Sequence, residues 1–114
     1  MYAAYRGAVG GLPADATVAA PLNDGAEAAI PVYAGRLIAT HRPLAFIDQT
    51  QRQQAVYEFF SGQATDGFRR ALIDRYRVRY IVVPAADAQL LAAITPFGSV
   101  IRRGPTFDTI AVRR

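Results

Sequence analysis

One short run of apolar residues constrains the fold of this chain more than any other feature. The run Arg79-Tyr-Ile-Val-Val-Pro84 is apolar and β-branched at consecutive positions. A strand with this pattern is typical of a parallel sheet that is covered on both sides, because neither of its faces is polar enough to be left in water. The run therefore predicts a central strand with helices packed over it, which is an α/β fold.

The remaining periodicities place this strand within a longer series of elements. Thr65 or Asp66 is expected to cap one helix, and Asp87 to begin another. Thr50 and Gln53 have the spacing of a capping box, which predicts the start of a further helix. The other predicted elements are strands over 17–22, 36–40, 99–103 and 107–112 and a helix over 26–30. The complete predicted order is therefore β-α-β-α-α-β-α-β-β.

This order predicts a three-layer α/β domain with a mainly parallel central sheet flanked by helices. The strands over Val18–Leu22 and Tyr80–Val83 are expected to be parallel neighbours at the centre, since both are apolar on both faces. The last two predicted strands are joined by Gly104-Pro-Thr106. They predict a C-terminal antiparallel β-hairpin at the edge of the sheet.

Length and composition indicate a single domain. The chain has 114 residues, of which 52% are hydrophobic, and it lacks an apolar run of the about 18 residues that span a bilayer. Small residues and glycines over 1–14 predict a flexible lead-in or linker, and one α/β domain is expected over 15–114. Since this lead-in comes first and a strand comes last, we expect the chain to be a domain of a longer protein.

The residue types that are missing exclude several kinds of site. The sequence has no cysteine and one histidine, His41, which excludes thiol catalysis, thiolate metal sites and multi-histidine metal centres. It has no lysine and therefore no Walker A motif, and neither G-x-G-x-x-G nor G-x-S-x-G follows a predicted strand. We therefore expect no cofactor and no metal, assign no catalytic residue, and expect no catalysis by this chain alone.

The positive charge is concentrated in the second half of the chain. Residues 1–68 carry four arginines and six acidic residues, a net charge of −2, whereas residues 69–114 carry nine and three, a net charge of +6. Such a basic half can bind an anionic membrane surface, or it can be a solvated face in a protein that uses arginine for every basic residue. Nucleic-acid binding is not expected, because the arginine–aromatic alternation over 75–80 is typical of a strand entrance. The arginines expected to be exposed are Arg69, Arg70, Arg102, Arg103, Arg113 and Arg114.

One polar cluster is a candidate ligand-binding site. Tyr33, Arg36, His41 and Arg42 flank the second predicted strand, and loops that follow strands are where open α/β sheets bind ligands. An arginine fork with an imidazole can bind a phosphate or a carboxylate. The same residues can equally be surface arginines and a histidine that hydrogen-bonds its own loop.

Two stretches resemble a known family. Ile30-Pro-Val-Tyr-Ala-Gly-Arg-Leu-Ile-Ala-Thr-His41 resembles the P-x-x-x-G-R…H segment that follows the last membrane spans of bacterial polytopic glycosyltransferase-like proteins. Phe59-Phe60, followed by Arg70-Ala-Leu-Ile-Asp-Arg-Tyr-Arg-Val-Arg-Tyr-Ile-Val-Val83, resembles their FF…LL-x-x-Y-x-V-x-Y-V-V-V passage from a helix into a strand. These proteins belong with the C superfamily of glycosyltransferases, integral membrane enzymes that use lipid-phosphosugar donors. The resemblance covers about residues 17–84.

The resemblance implies a non-catalytic accessory domain at the C-terminus of a bacterial membrane protein, on the extracytoplasmic face of the cell membrane. The acidic catalytic residue of such proteins lies near their first membrane spans, and nothing in this sequence matches it. The implied partners are the transmembrane part of the parent chain and a lipid-linked sugar, a glycan or an anionic membrane surface. The alternative is a free-standing α/β module that binds a small molecule or phosphate through Tyr33, Arg36, His41 and Arg42.

Overall fold

A computed structural model describes residues 7–8, 10–13, 16–20, 36–37 and 49–113 of the chain. Within these ranges, no helix is both long enough and apolar enough to cross a bilayer. The first two strands are short as described, and most of the described regular structure lies in residues 49–113. The elements are β1 (Thr17–Ala19), β2 (Arg36–Leu37), α1 (Gln49–Phe59), α2 (Asp66–Tyr76), β3 (Val78–Pro84), α3 (Ala88–Ile94), a 3₁₀ turn (Thr95–Phe97), β4 (Gly98–Arg103) and β5 (Phe107–Val112).

Five strands are found in the described ranges, and they form one mixed sheet in the order β2-β1-β3-β5-β4. β1 is parallel to both β2 and β3, so the predicted parallel neighbours at the centre of the sheet are confirmed. β5 is antiparallel to both β3 and β4, and β4 lies at the edge, as the predicted hairpin requires. The antiparallel ladders are longer than the parallel ones, so the prediction of a mainly parallel sheet is wrong. The reason is that β5 of the hairpin, rather than a further parallel strand, covers the second edge of β3.

Two of the predicted helix starts are confirmed by their caps. The Thr65 hydroxyl accepts a hydrogen bond from the backbone N–H of Phe68 at 3.1 Å, and the Asp87 carboxylate accepts one from the N–H of Leu90 at 3.0 Å. Each bond satisfies a backbone donor that has no partner within its own helix. Helix α1 already includes Gln49 and Thr50, so it begins earlier than the capping-box spacing predicted. The helix predicted over 26–30 lies outside the described residues.

The helices and one face of the sheet share a single hydrophobic core. Ile81 pairs with Ile110, and alternation places Val83 on the same face of the sheet. All three side chains are fully buried beneath α1, α2 and α3. The helices supply their apolar stripes to this core through Val56, Phe59, Leu72, Ile73, Leu90 and Ile94.

The opposite face of the sheet is covered as well, in part by the beginning of the chain. Val82 pairs with Thr109 on this face, and both are fully buried. The Thr109 hydroxyl donates a hydrogen bond to the carbonyl oxygen of Ala8 at 2.8 Å, and the Arg102 guanidinium donates one to that of Gly7 at 3.2 Å. Residues 7–8, which fall within the predicted lead-in, thus lie against the second face of the sheet.

The connection from α2 to β3 consists of one residue in an unusual conformation. Arg77 has a φ of 52° and a ψ of 49°, the left-handed region that costs a residue with a Cβ about 1–2 kcal/mol. Its backbone N–H donates to the carbonyl oxygens of Asp74 and Ile73 and so closes the helix, a geometry in which glycine is the usual residue.

Arg77→Gly is therefore expected to stabilise the protein. The relief of strain exceeds the extra entropy of glycine in the unfolded chain, which leaves a net gain of about 0.5–1 kcal/mol. Urea denaturation followed by circular dichroism measures the difference. Arg77→Ala is the matched control, because it removes the same charge and retains the strain. Equal stability of the two variants would contradict the strain argument.

Candidate functional site

The polar cluster predicted from the sequence falls largely outside the described residues. Tyr33, His41 and Arg42 are among the residues that the structure does not describe. Arg36 begins β2, where its backbone lies opposite Thr17 of β1. The structure thus places only the backbone of Arg36, at one edge of the described sheet, and the binding site over the four residues stays a prediction.

The described residues form a cleft at a different place, between the loop that follows α1 and the beginning of α3. Its volume is about 390 Å³, within the range that accommodates a small ligand. Its lining residues include apolar side chains as well as two aspartates, a glutamine and an arginine. The lining residues are Phe60, Gly62, Ala64, Asp66, Arg69, Asp87, Gln89, Leu90 and Ala93.

Arg69 is the buried charge of this cleft. Only 3% of the residue is exposed, so the prediction that it lies on the solvent side of its helix is wrong. Its Nε donates to the carbonyl oxygen of Phe59 at 2.9 Å, its Nη2 to that of Ser61 at 2.8 Å, and its Nη1 to that of Ala64 at 3.4 Å. These carbonyls belong to the end of α1 and the loop after it, where backbone acceptors lack helical partners. The guanidinium therefore holds this loop against α2.

The two carboxylates of the cleft lie at helix starts. Asp66 is exposed in the first turn of α2, and Asp87 is the N-cap of α3. Negative charge is favourable at these positions, because the unpaired N–H groups of a helix start carry partial positive charge. No lining residue among those described carries a hydroxyl, a thiol or an imidazole. What the described lining of the cleft offers chemically is charge and hydrogen bonding.

No group of three or more histidine, cysteine, aspartate or glutamate residues is placed to hold a metal ion within the described ranges.

A second feature is a group of exposed arginines at one end of the sheet. Tyr80 pairs with Ala111 in antiparallel register, so β3 begins where β5 ends. Since Arg77 alone joins α2 to β3, the last turn of α2 lies at this end too. We name this surface the basic end and define it by four exposed residues: Arg75, Arg77, Arg79 and Arg113.

Three of the four guanidinium groups of the basic end contact other groups of the protein. The Cζ atom of Arg75 lies 5.3 Å from the centroid of the Tyr76 ring, and that of Arg79 lies 5.8 Å from the Tyr80 ring. The Nη2 of Arg113 donates to the carbonyl oxygens of Thr95 and Gly98, both at 3.3 Å. These contacts restrict where the charges lie while leaving them accessible to water.

The exposure predicted for six arginines is therefore correct in part. Arg103 and Arg113 are exposed, whereas Arg70 and Arg102 are half-buried. The half-buried pair is engaged: the Cζ atom of Arg70 lies 5.0 Å from the centroid of the Phe97 ring, and Arg102 binds Gly7. Arg114 lies outside the described residues.

No protein-family model, curated protein or solved structure matches this chain. The resemblance to the C superfamily of glycosyltransferases therefore rests on the two quoted stretches alone.

Proposed function

We propose that this chain is a non-catalytic accessory domain of a larger bacterial membrane protein that resembles the C superfamily of glycosyltransferases. The observation that supports the proposal most directly is the role of the second resembling stretch. It runs through α2 into β3, and its apolar positions are core residues: Leu72, Ile73, Val78, Ile81 and Val83 are buried. A pattern that builds a core is what related scaffolds have in common, and it requires no catalytic group.

The polar groups of the cleft support the same reading. Arg69 directs its guanidinium at three backbone carbonyls, and one oxygen of Asp87 accepts the N–H that begins α3. Groups engaged in this way stabilise a local backbone conformation. A domain in which Arg69 and Asp87 serve the fold in this way is suited to positioning or contacting other parts of a protein.

The predicted three-layer arrangement belongs to this proposal. Val18 and Val82 are fully buried on the face of the sheet that lies away from α1, α2 and α3. Burial of two apolar side chains there needs a covering layer, of which residues 7–8 are the described part. We infer that this cover is the third layer of the predicted arrangement.

The experiment that tests the proposal asks what size of protein carries this domain and where it is found in the cell. An antibody raised against the 114-residue chain is applied to membrane and soluble fractions of the source bacterium. We expect one band in the membrane fraction at a mass far above the 12.4 kDa of this chain. A band at 12.4 kDa in the soluble fraction would overturn the proposal.

A titration of the isolated chain with inorganic phosphate addresses the free-standing alternative. In a heteronuclear NMR spectrum, saturable shifts confined to Tyr33, Arg36, His41 and Arg42 would favour a phosphate-binding module. The accessory-domain proposal expects no saturable shift at these four residues. The two experiments are independent, so each proposal can fail without the other.

A further inference from the structure

Positive charge predominates at one end of the sheet of this domain. The basic end lies where β3 begins and also holds the exposed carboxylate of Asp74, whereas the exposed residues Asp66, Asp87 and Arg103 lie where β3 ends. Seven residues of strand span about 20 Å at the usual rise of about 3.3 Å per residue. The Debye length at 0.1 M ionic strength is about 10 Å, so the charges where β3 ends do not cancel the potential of the basic end, in which four arginines outnumber Asp74.

The arrangement of the arginines in the basic end is suited to a flat partner surface rather than to a strand bound in a groove. Its arginines come from the end of a helix, the start of one strand and the residue after another, so they cap the sheet instead of lining a channel. The Tyr76 and Tyr80 rings are half-buried, and each already carries a guanidinium. Rings in this state are poor platforms for stacking nucleobases, which need an open face. Lipid phosphates require only accessible positive charge.

We propose that the basic end docks onto an anionic lipid surface and turns the cleft away from the membrane. The inference deepens the proposed function by naming the partner of this surface, and it takes only its membrane setting from that proposal. Each arginine close to an anionic leaflet contributes about a fivefold gain in partitioning. Four of them placed at one end give the domain both affinity and a fixed orientation.

Vesicle co-sedimentation of the 114-residue chain tests the affinity. The probes are vesicles of phosphatidylcholine alone and vesicles of equal parts phosphatidylcholine and phosphatidylglycerol. We expect sedimentation only with the anionic vesicles at about 0.1 M salt. The bound fraction should fall steeply towards about 1 M salt, where the Debye length is about 3 Å.

Two variants with equal net charge separate docking by the basic end from general attraction. Arg75→Gln with Arg79→Gln removes two positive charges from the basic end and should weaken partitioning about 30-fold. Gln63→Glu with Gln89→Glu lowers the net charge by the same amount at exposed positions near the cleft. This control should weaken partitioning less than about threefold, because those positions lie beyond the Debye length.

A label pair on the terminal hairpin tests the orientation. The chain has no cysteine, so Ser99→Cys and Thr106→Cys each create one labelling site. Both positions are exposed, Ser99 at the start of β4 near the basic end and Thr106 in the turn at the other end. On vesicle binding, an aqueous quencher should lose access to a fluorophore at position 99 and keep it at position 106.

Three outcomes would overturn the inference. They are equal binding to neutral and anionic vesicles, equal loss of binding in the two charge variants, and equal protection of the two labels. Binding to duplex DNA with the same arginine dependence, in the absence of vesicle binding, would assign the basic end to nucleic acid instead. None of these results bears on the size or the cellular fraction of the parent protein, so the proposed function is tested separately.

Discussion

Gly98→Ala is expected to destabilise the protein by about 3 kcal/mol, because a side chain at this position has no room. A Cβ on Gly98 would overlap the carbonyl oxygen of Ala111, and it would lie 2.8 Å from both the carbonyl carbon of Ala111 and the Cγ2 of Ile110. The obstruction is the backbone of β5, which is held in ladders with β3 and β4. Relief would require the two strands of the hairpin to move apart where β4 begins.

The same substitution elsewhere in the chain is the control for this prediction. Gly67 lies in the first turns of α2, and a Cβ there would come no closer than 4.0 Å to the Thr65 hydroxyl oxygen. Gly67→Ala should therefore leave stability unchanged or raise it by up to about 1 kcal/mol, since alanine favours the helix. Chemical denaturation of both variants makes the comparison. A loss below about 1 kcal/mol for Gly98→Ala would show that the hairpin adjusts at little cost.

Arg69→Met is expected to cost about 2–4 kcal/mol, because it leaves three backbone carbonyls without their charged donor. Methionine retains the length and most of the apolar contact of the arginine stem, so the loss reports the hydrogen bonds. The hydrogen bonds from Arg69 to the carbonyl oxygens of Phe59, Ser61 and Ala64 hold the loop between α1 and α2 in place. We therefore expect this loop to open in the variant. Urea denaturation gives the free energy, and hydrogen exchange of residues 60–64 gives the location.

Two further variants make the Arg69 prediction specific. Arg70→Met removes the neighbouring arginine, which is half-buried beside the Phe97 ring, and should cost less than about 1 kcal/mol. Arg69→Lys keeps the charge and should recover only part of the loss, since one ammonium cannot reach three carbonyls in the fixed geometry of a guanidinium. Equal losses for Arg69→Met and Arg70→Met would contradict the role assigned to the buried guanidinium.

The parts of the fold that were predicted correctly are those set by local patterns. The apolar run before Pro84 forms β3, the Thr65 and Asp87 caps begin their helices, and the last two strands form a hairpin. Each of these depends on side-chain periodicity or on a cap within a few residues. Such signals can be recognised in the sequence because they do not depend on contacts with distant parts of the chain.

The direction of pairing could not be predicted in the same way. A strand that is apolar on both faces fits a parallel or an antiparallel neighbour equally well, so the pattern of β3 did not reveal that β5 lies beside it. Because β5 contains polar residues, its sequence did not indicate a strand in the interior of the sheet. Asp108 and Thr109 are nevertheless buried, because the first accepts a hydrogen bond from Gly104 and the second donates one to Ala8.

Helical periodicity did not predict the burial of Arg69 in the cleft. An arginine at position 69 is on the polar side of the α2 pattern, yet the loop over 60–64 folds across that side and buries it. Periodicity describes how one helix meets one surface, and it contains no information about a loop that covers another side. Of the four residues of the basic end, only Arg113 was among the arginines expected to be exposed, whereas the alternation over 75–80 indicated no more than an exposed strand entrance at Arg77 and Arg79.

The contact between residues 7–8 and the second face of the sheet determines when this fold can be completed. The two hydrogen bonds join residues that are 101 and 95 positions apart in the sequence. The α2–β3 unit and the β4–β5 hairpin involve near neighbours and are expected to form first, since closing a short loop costs less entropy. During synthesis, residues 7–8 can therefore dock on the second face of the sheet only after β5 has left the ribosome, because only then can the Thr109 hydroxyl donate to the carbonyl oxygen of Ala8. Until that point this face is partly uncovered.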